Sequence, residues 1–308
     1  MAKMSASDKF KEECLKIVWG TKLESKTRYI ITHYTSPEGF KGIIESGKLW
    51  ATRYDCLNDI SERNDLITIY NQAVEELCST DEFFIKFKEL KIDGRYYSSS
   101  KDKETDHIKI DIIKDPEIFI ISFSNDDDSL SMWNYYSKNN RYEGYALSFL
   151  KNDNGYYNNE PDLNIQCFDL IYDKTEKKKY LIDVLQKIKS IFVDTEECLE
   201  FAKGLLGNLF FVWNDKFKNK HFEHEKEHRI MIVQSKSNRT YQVKTRINKG
   251  LMIPYIEFPS NKFLELYSVK CAPLHNDDKA VKLTKEYLER FDDYKKVNVE
   301  KSTIPIRY

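Results

Sequence analysis

Residues His224, Glu225, Lys226, Glu227 and His228 spell the HExxH pattern of zinc hydrolases. That chemistry needs a helix, because a helix brings histidines four apart to one metal at about 2.1 Å each. Residues 227–233 read EHRIMIV, a run that predicts a strand. On a strand, residues four apart stand roughly 13 Å from each other, too far for two imidazoles to share an ion. Read as a strand, the stretch sets Glu225, Glu227 and Arg229 on one face and His224, Lys226 and His228 on the other. Two carboxylates backed by an arginine make a pair held ionised and aimed into a cleft. The plainer alternative is an edge strand entering its sheet from a solvated, charged turn.

Two further groups carry chemistry-bearing side chains. His33, Tyr34 and Thr35 close a β-branched, aromatic run, where a histidine is either a catalytic group or a satisfied structural residue. Ser122, Phe123 and Ser124 precede an acidic turn, with Trp133 and Tyr136 just beyond. Those aromatics suit either a core or a wall for a planar ligand. Asp126, Asp127 and Asp128 suit either a capping turn or a magnesium ion.

The elements that must position these groups are legible from spacing. Residues 29–35 predict a strand. Ser36, Pro37 and Glu38 then supply a side-chain cap, a proline in the first turn and an acid beside it. Phe40, Ile43 and Ile44 give the helix one apolar face, Gly47 stops it, and residues 48–53 resume strand character. Before this unit, residues 7–19 form an amphipathic helix with Phe10, Cys14, Leu15 and Val18 on one side. After it, Asn58 or Asp59 caps a helix striped by Leu66, Ile69, Tyr70, Ala73, Val74 and Leu77. Residues 79–115 show no steady period and read as an exposed insert. Residues 117–124 form a strand buried on both faces, and residue 129 opens a short aromatic helix. A strand at 144–149 and another at 163–173 precede a helical hairpin over 176–219, divided near Asp194 and Thr195. Strands at 228–233, 239–246, 251–258 and 263–271, a helix at 277–291 and a last strand near 297–303 complete one elaborated domain over residues 1–308.

Composition narrows the class. The 308 residues are 41% hydrophobic and 14% aromatic, enough for a large core. The 49 basic and 50 acidic residues nearly cancel, so no global field draws the chain to nucleic acid or to a membrane, although a folded surface can segregate charge locally. The six cysteines are scattered without a CxxC pair, which suits reduced thiols. With no apolar run near 20 residues, the expectation is a cytoplasmic protein without a membrane partner.

Taken in order, these motifs resemble the bacterial domain of unknown function 2971. They are His33 to Thr35, Asn58 to Glu62, Ser122 to Ser124, Met132 to Tyr135, Gly144 to Phe149, Glu225 to Arg229, and Ser302 to Arg307. More distantly, a first strand ending in histidine, a short helix, a Gly-x-Leu strand, a middle strand with hydroxyls and a late Glu-x-Glu strand resemble the ADP-ribosyltransferase superfamily. That resemblance implies an α+β fold with a split, mostly antiparallel sheet, here carrying the helical hairpin as an insertion.

It also implies an activity and its residues. By position, His33 would hold the NAD ribose, Ser122 or Ser124 would support the nicotinamide ribose, and Glu227 or Glu225 would stabilise the cation at the reacting carbon. Tyr34, Thr35, Trp133, Tyr136 and Arg229 complete the implied binding site. Scission of the nicotinamide glycosidic bond passes through an oxocarbenium-like state, which a nearby carboxylate favours over the ground state. The expectation is therefore an ADP-ribosyltransferase or NAD glycohydrolase. NAD would be substrate, no metal would be needed, and the acceptor would be protein, nucleic acid or water. The resemblance suits a bacterial toxin or a phage-defence effector. The alternatives are a non-enzymatic nucleotide-binding sensor or scaffold, and a zinc metallohydrolase built on residues 224–228.

Overall fold

A computed structural model describes residues 5–19, 29–57, 63–88, 90, 96–101, 108–136, 142–151, 162–275 and 278–306. The expected cap at Asn58 or Asp59, the matched Glu62 and the matched Arg307 lie outside these residues.

Helix α1 (Ala6–Trp19) precedes the unit of strand β1 (Tyr29–Thr35), helix α2 (Pro37–Ser46) and strand β2 (Lys48–Arg53). The local chemistry is as the spacing predicts. Ser36 accepts the Gly39 N–H at 3.2 Å, Pro37 sits in the first turn, and Gly47 ends the helix at φ +65°. Phe40, Ile43 and Ile44 are the buried side chains of α2. Helix α3 (Arg63–Cys78) follows, then the two-stranded ribbon of β3 (Tyr96–Lys101) and β4 (Ile108–Ile113).

Strand β5 (Pro116–Ser124) is the axis of the sheet. Helix α4 (Leu130–Tyr136), strands β6 (Tyr145–Lys151) and β7 (Leu163–Asp169), and helices α5 (Lys174–Ile191) and α6 (Glu196–Lys216) come next. Strands β8 (Glu227–Ser235), β9 (Val243–Asn248), β10 (Leu251–Pro259) and β11 (Leu264–Cys271), helix α7 (Asp278–Leu288) and strand β12 (Asn298–Lys301) complete the order. One edge of β5 pairs with β8 throughout, from Pro116 opposite Ser235 to Ser124 opposite Glu227. Its other edge is shared. Ser124 pairs with Thr32 of β1, whereas Ile120 and Phe119 pair with Thr52 and Arg53 of β2. The sheet thus divides at β5 into an arm through β1, β6, β11 and β12 and an arm through β2, β10 and β9. The ladders among these strands are antiparallel except for β11 with β12. This is a mixed α+β fold with a mostly antiparallel, open sheet.

Side-chain alternation along β5 and β8 feeds two cores. Ile118, Ile120, Met231 and Val233 face α1, α3, α5 and α6, while Phe119, Ile121, Phe123, Ile230 and Ile232 face α2 and α7. A smaller cluster of Tyr34, Met132, Trp133, Ala146 and Ala272 seats α4 on the β1 arm.

Two expectations change. Strand β8 is central rather than an edge, paired with β5 on one side and β7 on the other, and all nine of its residues are buried. The stretch 79–115 is not wholly an exposed insert, because a 3-10 helix at Glu82–Phe87 buries Phe84 and Phe87 in the larger core. The sequence hid this because four apolar residues within six establish no period.

Candidate active site

The charged stretch before β8 is not a helix. Residues Lys220–Glu225 form a 3-10 helix, and Lys226 turns the chain into the strand at φ +44°, a left-handed conformation uncommon for a side-chain-bearing residue. Lys226 docks that turn on the acidic loop after β5: its carbonyl accepts the Asn125 N–H at 2.8 Å and its ammonium meets Asp126 at 3.0 Å. His224 therefore leaves toward Tyr135, whose hydroxyl is 3.2 Å from Nε2. His228 goes instead to Asp169 at 2.8 Å, on the opposite face of the strand from Glu227. The two histidines of the HExxH pattern thus have no common focus, and the zinc reading loses its geometry. Among the described residues no group of three or more His, Cys, Asp or Glu side chains is arranged to hold a metal.

The same turn brings both carboxylates together. The Lys218 ammonium donates to Glu225 Oε2 at 2.8 Å and to Glu227 Oε2 at 2.9 Å. Arg229 donates from Nε to Glu227 Oε1 at 2.8 Å and from Nη2 to Oε2 at 3.2 Å, and its Nη1 holds the Asp215 carbonyl at 2.7 Å. All four side chains are buried, Glu227 to 4% exposure. Burial opposes the Glu227 charge, but Arg229 and Lys218 outweigh it and, with a hydrogen bond from Ser122, hold its pKa down to about 2. Burial likewise disfavours the Lys218 ammonium, yet the two carboxylates raise its pKa above the ordinary lysine value. The Tyr172 hydroxyl accepts the Glu227 N–H at 2.8 Å. Burial of its hydroxyl, and then the charges of Glu225 and Glu227, raise the pKa of Tyr136, which is 43% exposed.

His33 reaches this cluster through one residue. Between the Ser124 and Ile120 pairings, the Ser122 carbonyl has no strand partner and takes His33 Nδ1 at 3.0 Å. A carbonyl only accepts, so Nδ1 carries the proton and Nε2 the lone pair. Burial lowers the His33 pKa, the Ser122 bond partly restores it, and Arg246 lowers it further. The ring packs edge to face on Phe123 at 5.7 Å, whereas the Ser122 side chain lies on the face of Arg229 and Glu227, opposite Arg229 in the ladder. His33 and the carboxylates therefore do not face each other directly. They meet through the main chain and side chain of Ser122.

The remaining expected site residues are occupied within the fold. Ser124 is fully buried, donating to the Glu225 carbonyl at 2.7 Å and accepting the Asp126 N–H. Tyr34 donates to the Asp126 carbonyl and accepts the Ser129 N–H, and Trp133 donates to Asp128 at 2.9 Å from 1% exposure. Neither ring presents a face to a ligand. Thr35 packs so closely that a Cβ on Gly39 would meet its Oγ1 at 2.0 Å. Asp126, Asp127 and Asp128 pair with Lys226, Lys270 and a set of donors that includes Ser302 and Thr303. Lys218 and Tyr172 carried no signal in the sequence, since each lies outside any motif and only folding brings it to β8.

No curated protein and no solved structure matches this chain. Among protein families, residues 132–230 match the model described as Protein of unknown function (DUF2971), a segment that runs from α4 to the Glu227–Arg229 pair of β8.

Proposed function

We propose that the chain cleaves the nicotinamide glycosidic bond of NAD, as an ADP-ribosyltransferase or NAD glycohydrolase, at the site formed by Glu227, Glu225 and Ser122. The observation that carries this reading is the position of Ser122, whose carbonyl takes His33 Nδ1 at 3.0 Å and which stands opposite Arg229 in the β5–β8 ladder, two positions from the ionised Glu227. A carboxylate held charged at every physiological pH suits an oxocarbenium-like state, because the charge it answers develops only as the bond breaks. In this reading Glu227 stabilises the reacting carbon and Glu225 is the second carboxylate. Arg229 and Lys218 keep the pair ionised, and Tyr136 offers an aromatic wall at the exposed side. His33, fixed as the Nδ1–H tautomer on the other face of β5, is a positioning residue that acts through the Ser122 carbonyl rather than on the substrate. A ribose hydroxyl reaching Glu227 exchanges with one of its Lys218 or Arg229 bonds, so substrate binding and loosening of the ion network go together. A role as a bacterial toxin or phage-defence effector belongs to the same proposal.

The saturation of Glu227 by two cations favours one other reading, a binding module in which the network is structural and a nucleotide is held without turnover. Incubation with NAD labelled in the nicotinamide ring separates the two. Nicotinamide release, abolished in Glu227→Gln and weakened in Glu225→Gln at unchanged fold, is expected. Saturable NAD binding without release of nicotinamide, in the presence of cell extract as acceptor source, moves the conclusion to the binding module.

A further inference from the structure

The geometry points to the β9–β10 hairpin as an anchor for the surface of an anionic lipid membrane. Ile247, Leu251 and Met252 are exposed to 73%, 64% and 70%, the highest values among the described large hydrophobic side chains, and they fall within six positions of one another. Lys249 and Gly250 both take left-handed conformations, at φ +47° and +79°, as a two-residue hairpin turn of the primed type requires. The tip is therefore preformed. Ile247 pairs across the ladder with Met252 on one face, while Leu251, opposite Asn248, points to the other. Each face of the tip carries an exposed apolar side chain, which suits an isotropic apolar medium better than a flat protein groove. The next inward position, Ile253, is buried. The protruding apolar length is thus about two residues from the turn, or roughly 7 Å, close to the depth of an interfacial segment.

The charge around the tip is one-sided. Residues 243–256 of the hairpin contain Lys244, Arg246 and Lys249 and no acid. Arg239 pairs with Glu117 and Lys244 with Glu257, and Arg246 is bonded to Thr52 and lies against Trp50 and Tyr255. No carboxylate meets Lys249 or Arg246 in the described ion pairs, so the hairpin's own strands give the apolar tip a cationic collar. Anionic headgroups complement that collar, each nearby Lys or Arg contributing on the order of 1 kcal/mol. A second copy of the chain does not, because pairing two tips would bring like charges together. The near-neutral sequence conceals this segregation.

The test is flotation of the full chain with vesicles of phosphatidylcholine alone or mixed with phosphatidylserine. The protein is expected to float with the phosphatidylserine vesicles, less so at high salt, and to stay behind with phosphatidylcholine. Substituting Ile247, Leu251 and Met252 together by serine is expected to reduce partitioning by at least about tenfold at unchanged melting temperature. Lys249→Glu should weaken it further at low salt. Absence of flotation, or equal flotation of the triple variant, overturns the proposal. Sedimentation that shows a dimer lost in the triple variant overturns it in favour of self-association. Displacement from vesicles by single-stranded DNA, independent of the three apolar side chains, overturns it in favour of a nucleic-acid patch.

Discussion

Replacing Lys218 by methionine keeps the aliphatic stem and removes the charge that bridges two buried carboxylates. The fall of the Glu227 pKa from 4.5 to about 2, at about 1.4 kcal/mol per pH unit, corresponds to about 3 kcal/mol of stability contributed by its ionised form. Because the folded-state pKa is depressed, this contribution is complete above about pH 4.5 and is lost as the pH falls toward 2. Without Lys218, Glu227 keeps Arg229, but Glu225 loses the one cation recorded beside it while 8% exposed. Breaking a buried ion pair on one side costs about 3–5 kcal/mol; with Arg229 still in place, Lys218→Met is expected to lose about 3 kcal/mol at pH 7. Glu227, left with Arg229 alone, then binds a proton more readily than in the wild type, so the gap between the two proteins should narrow as the pH falls from about 7 to about 3. Adding Glu225→Gln should recover much of the loss by removing the unpaired charge. Urea unfolding followed by circular dichroism at both pH values measures all three quantities. A Lys218→Met protein within about 0.5 kcal/mol of wild type at pH 7, or a gap that does not change with pH, refutes the reasoning.

Other expectations follow from single contacts. Gly144 adopts φ +142° with its would-be Cβ 2.4 Å from the Thr35 carbonyl oxygen, so Gly144→Ala should destabilise the fold by about 2 kcal/mol or more, measured by urea midpoint. Asp128 accepts from Trp133, Ser302 and Thr303, so Asp128→Ala should cost about 2 kcal/mol and shift tryptophan fluorescence to the red as the α4 contact loosens. Burial lowers the pKa of both His33 and His228 below 6.5, so each contributes stability above that pH that is lost on acidification through the window beneath it. His33→Gln should flatten that slope. Nitrogen NMR of labelled histidine should show His33 neutral and protonated at Nδ1 at pH 7.

Hydrophobic spacing and capping chemistry determined most of the elements. The unit of β1, α2 and β2 follows from Ser36, Pro37, the Phe40, Ile43 and Ile44 stripe and Gly47, each acting within a few residues of chain. The burial of 117–124 and the strand character of 227–233 are equally local, and they sufficed to argue against a shared zinc at His224 and His228. What the sequence left open was pairing. That β8 lies in the middle of the sheet depends on β5 and β7 finding it from about 100 and 60 positions away. A strand beginning EHR reads as solvated until Lys218, Arg229 and Asp215 are seen to neutralise and cover it. The division of the sheet at β5, which leaves the Ser122 carbonyl for His33, is likewise a matter of which strand reaches which edge. Periodicity encodes which face of a segment is apolar, whereas the convergence of distant charges is set by packing, and only the folded chain brings Lys218 and Tyr172 to Glu227.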